Sequence, residues 1–472
     1  MKKLIIMAMC IATGTMFAQS NTSSVNQTGN TNTSAVTQVG LTNDSKVVSL
    51  GNSNSSTVYQ AGNTANPTGS LNKSDVIQHG DLNTSDVNSL GRGNGSKVNQ
   101  AGDGNDADVD QNGNWNTSRV NQGLVNSGGT ISRIGNGNEA AVNQDGTDNA
   151  SVINQRSATP GQESNDNDAF VNQVGDDNIS NISQDGDLNL ADNNQLGNAN
   201  DSSVNQIGDS NDSDVDQTGD SNIARTYQGG MGNMSDIVSN GNGNFADTAQ
   251  QGTGNDSDVN QQGDANFSEV DHQGNSNVAR TYQGGNDNTS TISSVGNSNF
   301  ADTAQQGTFN DSEVDQQGND NFSEVDQQGN DNLSFVYQIG NDNDSNVFQV
   351  GDNNGSGVYQ QGNDNDSDVT QDGTNNNSLV MQMGDSNKST VDQDGDGNLS
   401  GVLQLGTLNT SIVTQNGIGN ISGVAQMGSG HVSDVNQLGD ANVSAVMQLG
   451  NTHTSGVDQM GNNNTSVVMQ SN

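Results

Sequence analysis

An all-β solenoid is the fold class this sequence predicts, on three observations. An eleven-residue phrase, N-x-[SA]-x-[VI]-x-Q-x-G-x-x, recurs from Asn21 to Asn472. The four regular residues before its glycine are spaced by two, which in an extended chain sets all four on one face. The glycine and the two variable residues after it supply a reversal, because Gly accepts positive φ without steric cost and Asn or Asp tolerates it best among the rest. Counted in register there are 40 units, with Asn in the first slot of 37, Ser or Ala in 39, Val or Ile in 35, Gln in 34 and Gly in 37.

Composition alone points elsewhere. With 28% hydrophobic residues, 3% aromatics and a net charge of -43, the chain falls among disordered polypeptides. The periodicity overrules that reading: one strand and one turn bury nothing alone, but stacked identical units bury a continuous inner face.

In chain order, Lys2 and Lys3 precede an apolar run from Leu4 to Ala18. The run is too short to span a membrane and reads as an export signal, residues 1–18, with cleavage after Ala18. The only cysteine, Cys10, lies inside it, so disulfides and thiol chemistry are excluded for the mature chain. Residues 19–472 then read as a single repeat solenoid with short insertions near 64–70 and 158–164, each holding one of the two prolines, Pro67 and Pro160.

The insertions divide the repeats into blocks of 4, 8 and 28 units. All three numbers are even, as they would be for insertions at one corner of a coil built from two strands. Two strands give a 22-residue coil, about 20 coils, and a column about 96 Å long at roughly 4.8 Å per coil. A-R-T-Y-Q-G-G at Ala224 recurs at Ala279, and F-A-D-T-A-Q-Q-G at Phe245 recurs at Phe300. Such a 55-residue duplication spans five units, so the two sides of the coil must be nearly equivalent.

The inward residues form ladders, represented by Asn321, Ser323, Val325, Gln327 and Gly329, and by Asn332, Ser334, Val336, Gln338 and Gly340. Stacked Val supplies a thin apolar seam, and stacked Asn and Gln amides hydrogen-bond to their own copies along the axis. The intervening slots face water. Acidic pairs there, such as Asp214 with Asp216, Glu269 with Asp271, and Glu313 with Asp315, repel their stacked copies and brake premature aggregation. Rows of carboxylates also suit Ca²⁺, although the G-G-x-G-x-D nonapeptide of calcium-binding β-rolls is absent.

No catalytic, cofactor or metal-ligand constellation is present, which argues against an enzyme. The four histidines, His79, His272, His431 and His453, lie scattered among the repeats. His431 and His453 replace ladder Asn and stand 22 residues apart, so a two-strand coil stacks them as drift in a tolerant slot. Trp115 falls in a turn. The acidic balance disfavours nucleic acid.

The spacing Q-x-G-x-x-N-x-[SA]-x-[VI]-x-Q resembles the curlin repeat. It is met in full by Gln27-Thr28-Gly29-Asn30-Thr31-Asn32-Thr33-Ser34-Ala35-Val36-Thr37-Gln38 and again by the segment Gln437 to Gln448. The resemblance implies a curli-like amyloid subunit of the biofilm matrix, secreted through an outer-membrane pore, started by a nucleator and held in cell-surface fibres. It further implies a homo-polymer rather than a membrane-spanning protein. Physics supports that expectation, since both ends of the repeat array copy its middle and leave sheet edges open to an incoming copy. A non-polymerising adhesin or spacer is the alternative. An ice-binding solenoid ranks last, because the outer slots are irregular and charged.

Overall fold

The computed structural model describes residues 20–62, 71–125, 131–157 and 162–472. The export signal, both prolines and most of both insertions lie outside the described residues. Every regular element among the described residues is a β-strand, and nearly all of them alternate between two parallel sheets. One sheet holds 20 strands and the other 19.

Each strand pairs with strands above and below it. In one sheet Asp311 stands opposite Leu333, and in the other Phe322 stands opposite Asp344. That offset of 22 residues is one coil of two strands. Neither sheet closes on itself: Thr33–Gln38 pairs only with Ser55–Ala61, and Thr454–Met460 only with Val432–Leu438.

The side-chain alternation follows the period of two. In Phe322–Asn330 the residues Ser323, Val325 and Gln327 are buried and those between them are not. The core is therefore a narrow seam between the sheets, built from Val columns such as Val314, Val336 and Val358 in one sheet and Val325, Val347 and Val369 in the other. Ser and Ala interchange in the next column, where Ala301 lies opposite Ser323. The Ser323 hydroxyl is buried and finds no hydrogen-bond partner, so the slot selects for small size rather than for a donor.

The 55-residue duplication confirms that the sides are equivalent. The strand Phe245–Thr253 belongs to the 20-strand sheet and its copy Phe300–Thr308 to the 19-strand sheet. Phe245 stacks on Phe267 at 5.0 Å and Phe300 on Phe322 at 5.1 Å, so the same local packing is made on both faces.

The two insertions do not share one corner of the coil. The register jumps by 29 residues from Asp44 to Lys73, by 33 from Asp106 to Glu139, and by 29 from Ala150 to Ile179. The middle jump contains a whole extra unit, whose slots read Ser127, Gly129, Ile131, Arg133 and Gly135. Its described residues contribute no strand to either main sheet. Its Ile131–Asn136 strand instead pairs with Glu163–Asn165 from the second insertion.

Among the described residues 39 strands therefore build the two sheets, 20 and 19. Seven lie between the insertions, and the insertions occupy opposite corners. The first leads from the 19-strand sheet into Lys73–His79 of the other; the second leads from Ala150–Gln155 of the 20-strand sheet into Asp168–Val174. The coil has two strands, but the evenness of the blocks was not evidence for it. The physical reason is compositional, because that unit has Ser127 in place of ladder Asn and Arg133 in place of ladder Gln. An unpaired guanidinium in that seam would be desolvated at a cost of several kcal/mol.

Candidate assembly site

The ladder residues are set by the strands and locked by their own copies. Asn321 opens its strand, and its backbone N–H and Nδ2 both donate to Asn299 Oδ1 one coil back, at 3.1 and 3.0 Å. Its Nδ2 also donates to the Gly340 carbonyl at 3.0 Å, which fastens the strand start to the corner. Asn332 makes the same contacts with Asn310 and with the Gly351 carbonyl.

Gln327 closes the strand in the opposite sense. Its Nε2 donates to Gln349 Oε1 one coil ahead at 2.9 Å and to the Asp311 carbonyl of the facing sheet at 3.0 Å. Gln338 donates to Gln360 and to the Phe322 carbonyl in the same way. The Gln column thus joins coils along the axis and sheets across the seam.

The corners at Gly329 and Gly340 allow only glycine. At Gly329 φ is +123°, and an added Cβ would overlap the carbonyl oxygen of Gly351 in the next coil. Gly340 repeats this at +124° against Gly362. Two residues further on, the chain enters the left-handed region again, at Asp331 and Asp342 with φ of 56° and 55°. Trp115 occupies that position at 60°, under the Arg92 guanidinium at 5.6 Å.

A further ladder escaped the sequence reading, which treated the residues after glycine as loose. The backbone N–H of Asn319 donates to Asn341 Oδ1 at 3.0 Å, and that of Asn330 donates to Asp352 Oδ1 at 2.8 Å. The recurrence of Asn or Asp directly after glycine was the available signal.

At both ends of the stack this machinery is exposed. Val25 in the first strand is 46% exposed, against 0% for Val325 in the middle. In the last strand, Thr465–Ser471, no residue is buried. The bonds are directional, so the two ends differ. Amide links in the Gln column run from Nε2 to Oε1 of the following coil, from Gln38 to Gln60 at one end and from Gln448 to Gln470 at the other. Links in the Asn column run backward, from the Asn43 N–H to Asn21 and from the Asn464 N–H to Asn442.

The family model of the curlin associated repeat matches residues 296–329, 318–349, 340–373, 368–395 and 384–417. Residues 296–417 are similar to curlin associated repeats. The matched stretch includes every ladder residue described above from Asn299 to Val369, and the same slots continue outside it from Asn21. No curated protein sequence matches the chain.

Outside the seam, the stacked strands line up carboxylates. Asp192, Asp214, Asp236 and Asp258 form one column in the 19-strand sheet. Each is pushed up from the ordinary aspartate value, by burial first and then by neighbouring carboxylates. Asp214 reaches about 6 through burial, Asp216 and Asp192; Asp108 also reaches about 6 through burial, Asp110 and Asp86. Among the described residues no group of three or more His, Cys, Asp or Glu side chains is arranged to hold a metal ion.

The histidines divide by slot. His272 replaces a ladder Gln between Gln250 and Ser294; it is fully buried, and neither ring nitrogen has a hydrogen-bond partner. Burial pulls its pKa down to about 4. His431 and His453 replace ladder Asn and stack with centroids 5.3 Å apart.

Proposed function

We propose that this chain is the structural subunit of a secreted, curli-like fibre of the biofilm matrix that grows by head-to-tail stacking. Curlin repeats are structural and belong to extracellular fibre components. The observation that carries the reading is the complementarity of the exposed ends. One end presents Gln donors and Asn acceptors, and the other presents Gln acceptors and Asn donors. A second copy placed end to end satisfies both columns and extends both sheets, which converts unpaired edges into ladder. On this reading the working residues are the ladder set, Asn321 to Gly329 and Asn332 to Gly340, and the partners are other copies, a nucleator and an outer-membrane export pore.

The carboxylate columns favour one competing reading, a non-polymerising extracellular spacer or adhesin kept apart by charge. Electron microscopy and fibre diffraction on chain 19–472 separate the two. Unbranched fibres that bind amyloid dyes and give spacings of roughly 4.7 and 10 Å are expected. A sheet-rich protein that stays unpolymerised for days at high concentration would leave only the spacer.

A further inference from the structure

The acidic surface is interrupted on one side. In the 20-strand sheet, the outward slots of the last seven strands, from Leu333–Asn341 to Thr465–Ser471, hold no charged residue. They hold Phe335, Leu379, Leu399, Ile421 and Val443 instead, and Leu379 is 50% exposed. The stretch stops abruptly, because the preceding strand of that sheet presents Asp311, Glu313 and Asp315. On the opposite sheet the same coils present Asp344, Asp368, Asp392 and Asp434. The segregation is invisible along the chain, where apolar and acidic units alternate every eleven residues.

The face has relief as well as polarity. Gly401, Gly423, Ala425 and Ala445 floor a groove of about 360 Å³, walled by Leu379 and Leu403 on one side and by Met447 and Met469 on the other. Seven strands at about 4.8 Å, each roughly seven residues long at about 3.3 Å, give a rectangle of roughly 780 Å². A stable interface buries about 800 Å² per partner.

We infer that this face is a lateral pairing surface and that its occupant is the same face of a second copy of this chain, related by a twofold axis. Charge selects the occupant. The chain carries -43, and most of its other outer surface would bring carboxylates against apolar side chains or against each other, which desolvation and repulsion oppose. The uncharged rectangle is the surface two copies can bring together without burying a carboxylate. A twofold contact uses one patch twice, so the Leu403 and Met447 walls of each copy enter the groove of the other. Such pairing joins stacks side by side and goes beyond end-to-end growth, which uses the perpendicular edges.

The test uses freshly dissolved chain 19–472, before fibres form, in sedimentation equilibrium. Twice the chain mass is expected at tens of micromolar, and the double variant Leu403→Asp with Met447→Asp should run as a single chain with an unchanged sheet spectrum. Gly423→Lys fills the groove without reaching the seam, since a Cβ there meets nothing within 4 Å; it should also run single, and it serves if the double variant misfolds. Thr414→Asp, on the opposite sheet, should still pair. A wild-type chain that runs single, a Gly423→Lys chain that still pairs, or pairing lost equally in Thr414→Asp would overturn the inference. Capture by phosphatidylcholine vesicles of a chain that runs single without them would overturn it in favour of a lipid surface. End-to-end growth is read separately from fibre length, so failure of one does not imply failure of the other.

Discussion

His431 Nδ1 accepts the backbone N–H of His453 at 3.2 Å, the bond that Asn Oδ1 makes everywhere else in that column. Its Nε2 lies 3.2 Å from the Met427 carbonyl, the same-corner acceptor that ladder Asn side chains reach, as Asn354 reaches Val350. An imidazole in the Nε2–H tautomer therefore reproduces a carboxamide's donor and acceptor, and the flat rings stack where flat amides stacked. The tolerance of that slot has a geometric cause.

His272 has no such match, because a Gln slot needs a donor that reaches ahead to the next coil and the short imidazole reaches nothing. His272→Gln should raise stability at pH 7 by about 1 to 3 kcal/mol, the usual penalty of an unsatisfied buried polar group, whereas His431→Asn should change it by less than about 0.5 kcal/mol. Urea unfolding midpoints check both. Equal effects from the two substitutions would refute the slot argument.

The pH dependence has two opposing parts. His272 has a lowered folded pKa of about 4; its contribution is present above about 6.5 and is lost as pH falls from there toward 4. Asp108 and Asp214 have raised folded values of about 6, so the folded chain binds protons that the unfolded chain releases, and stability increases as pH falls from about 7 toward 4. In His272→Gln only the second part remains. Its unfolding midpoint should rise on acidification more than that of the parent, and fibre lag time should shorten between pH 7 and pH 4.5. A lag independent of pH and of salt would show that the carboxylate columns are no brake.

Register is tested at two adjacent positions. Val325 is fully buried between Thr303 and Val347, and Val325→Asp should cost more than about 4 kcal/mol and slow assembly. Asp326 lies on the outer face, where burial raises its pKa, and Asp326→Asn should leave stability equal or higher and assembly equal or faster. Similar damage from both would mean that the strand faces are misassigned.

Corner glycines and face glycines should behave oppositely. Gly329→Ala places a Cβ against the Gly351 carbonyl at φ +123°, and a cost of at least about 2 kcal/mol is expected from backbone strain and overlap. Gly401→Ala meets nothing within 4 Å and should be neutral or slightly stabilising. Thermal denaturation of the two variants gives the comparison directly.

Parity fixes the symmetry of any seamless stack of residues 21–472. With 20 strands in one sheet and 19 in the other, an incoming copy that leaves no gap lays its Thr22–Thr28 on Thr454–Met460 and its Thr33–Gln38 on Thr465–Ser471. Its sheets are exchanged, so successive subunits turn by half a revolution and advance about 94 Å at roughly 4.8 Å per coil. Helical reconstruction of fibres should find that half turn superposed on the sheet twist. Subunits related without it would exclude gap-free stacking.

The sequence by itself determined the unit. Spacing by two set Asn321, Ser323, Val325 and Gln327 on one face, and the recurrent glycine set the corners, because both are properties of a few consecutive residues. It also forecast that His431 and His453 would stack, since a separation of 22 residues is a vertical neighbour once two strands make a coil. Only the tertiary structure decided which units enter the stack, which corner each insertion occupies and where charge is absent. Those depend on residues that are distant in sequence and adjacent in space. The 125–135 unit keeps the period but lacks the donors that its vertical neighbours would require, and the apolar face emerges only when every second unit is laid side by side. A period can be read from one copy, whereas the fit of a copy to the coils above and below it is a property of the assembled column.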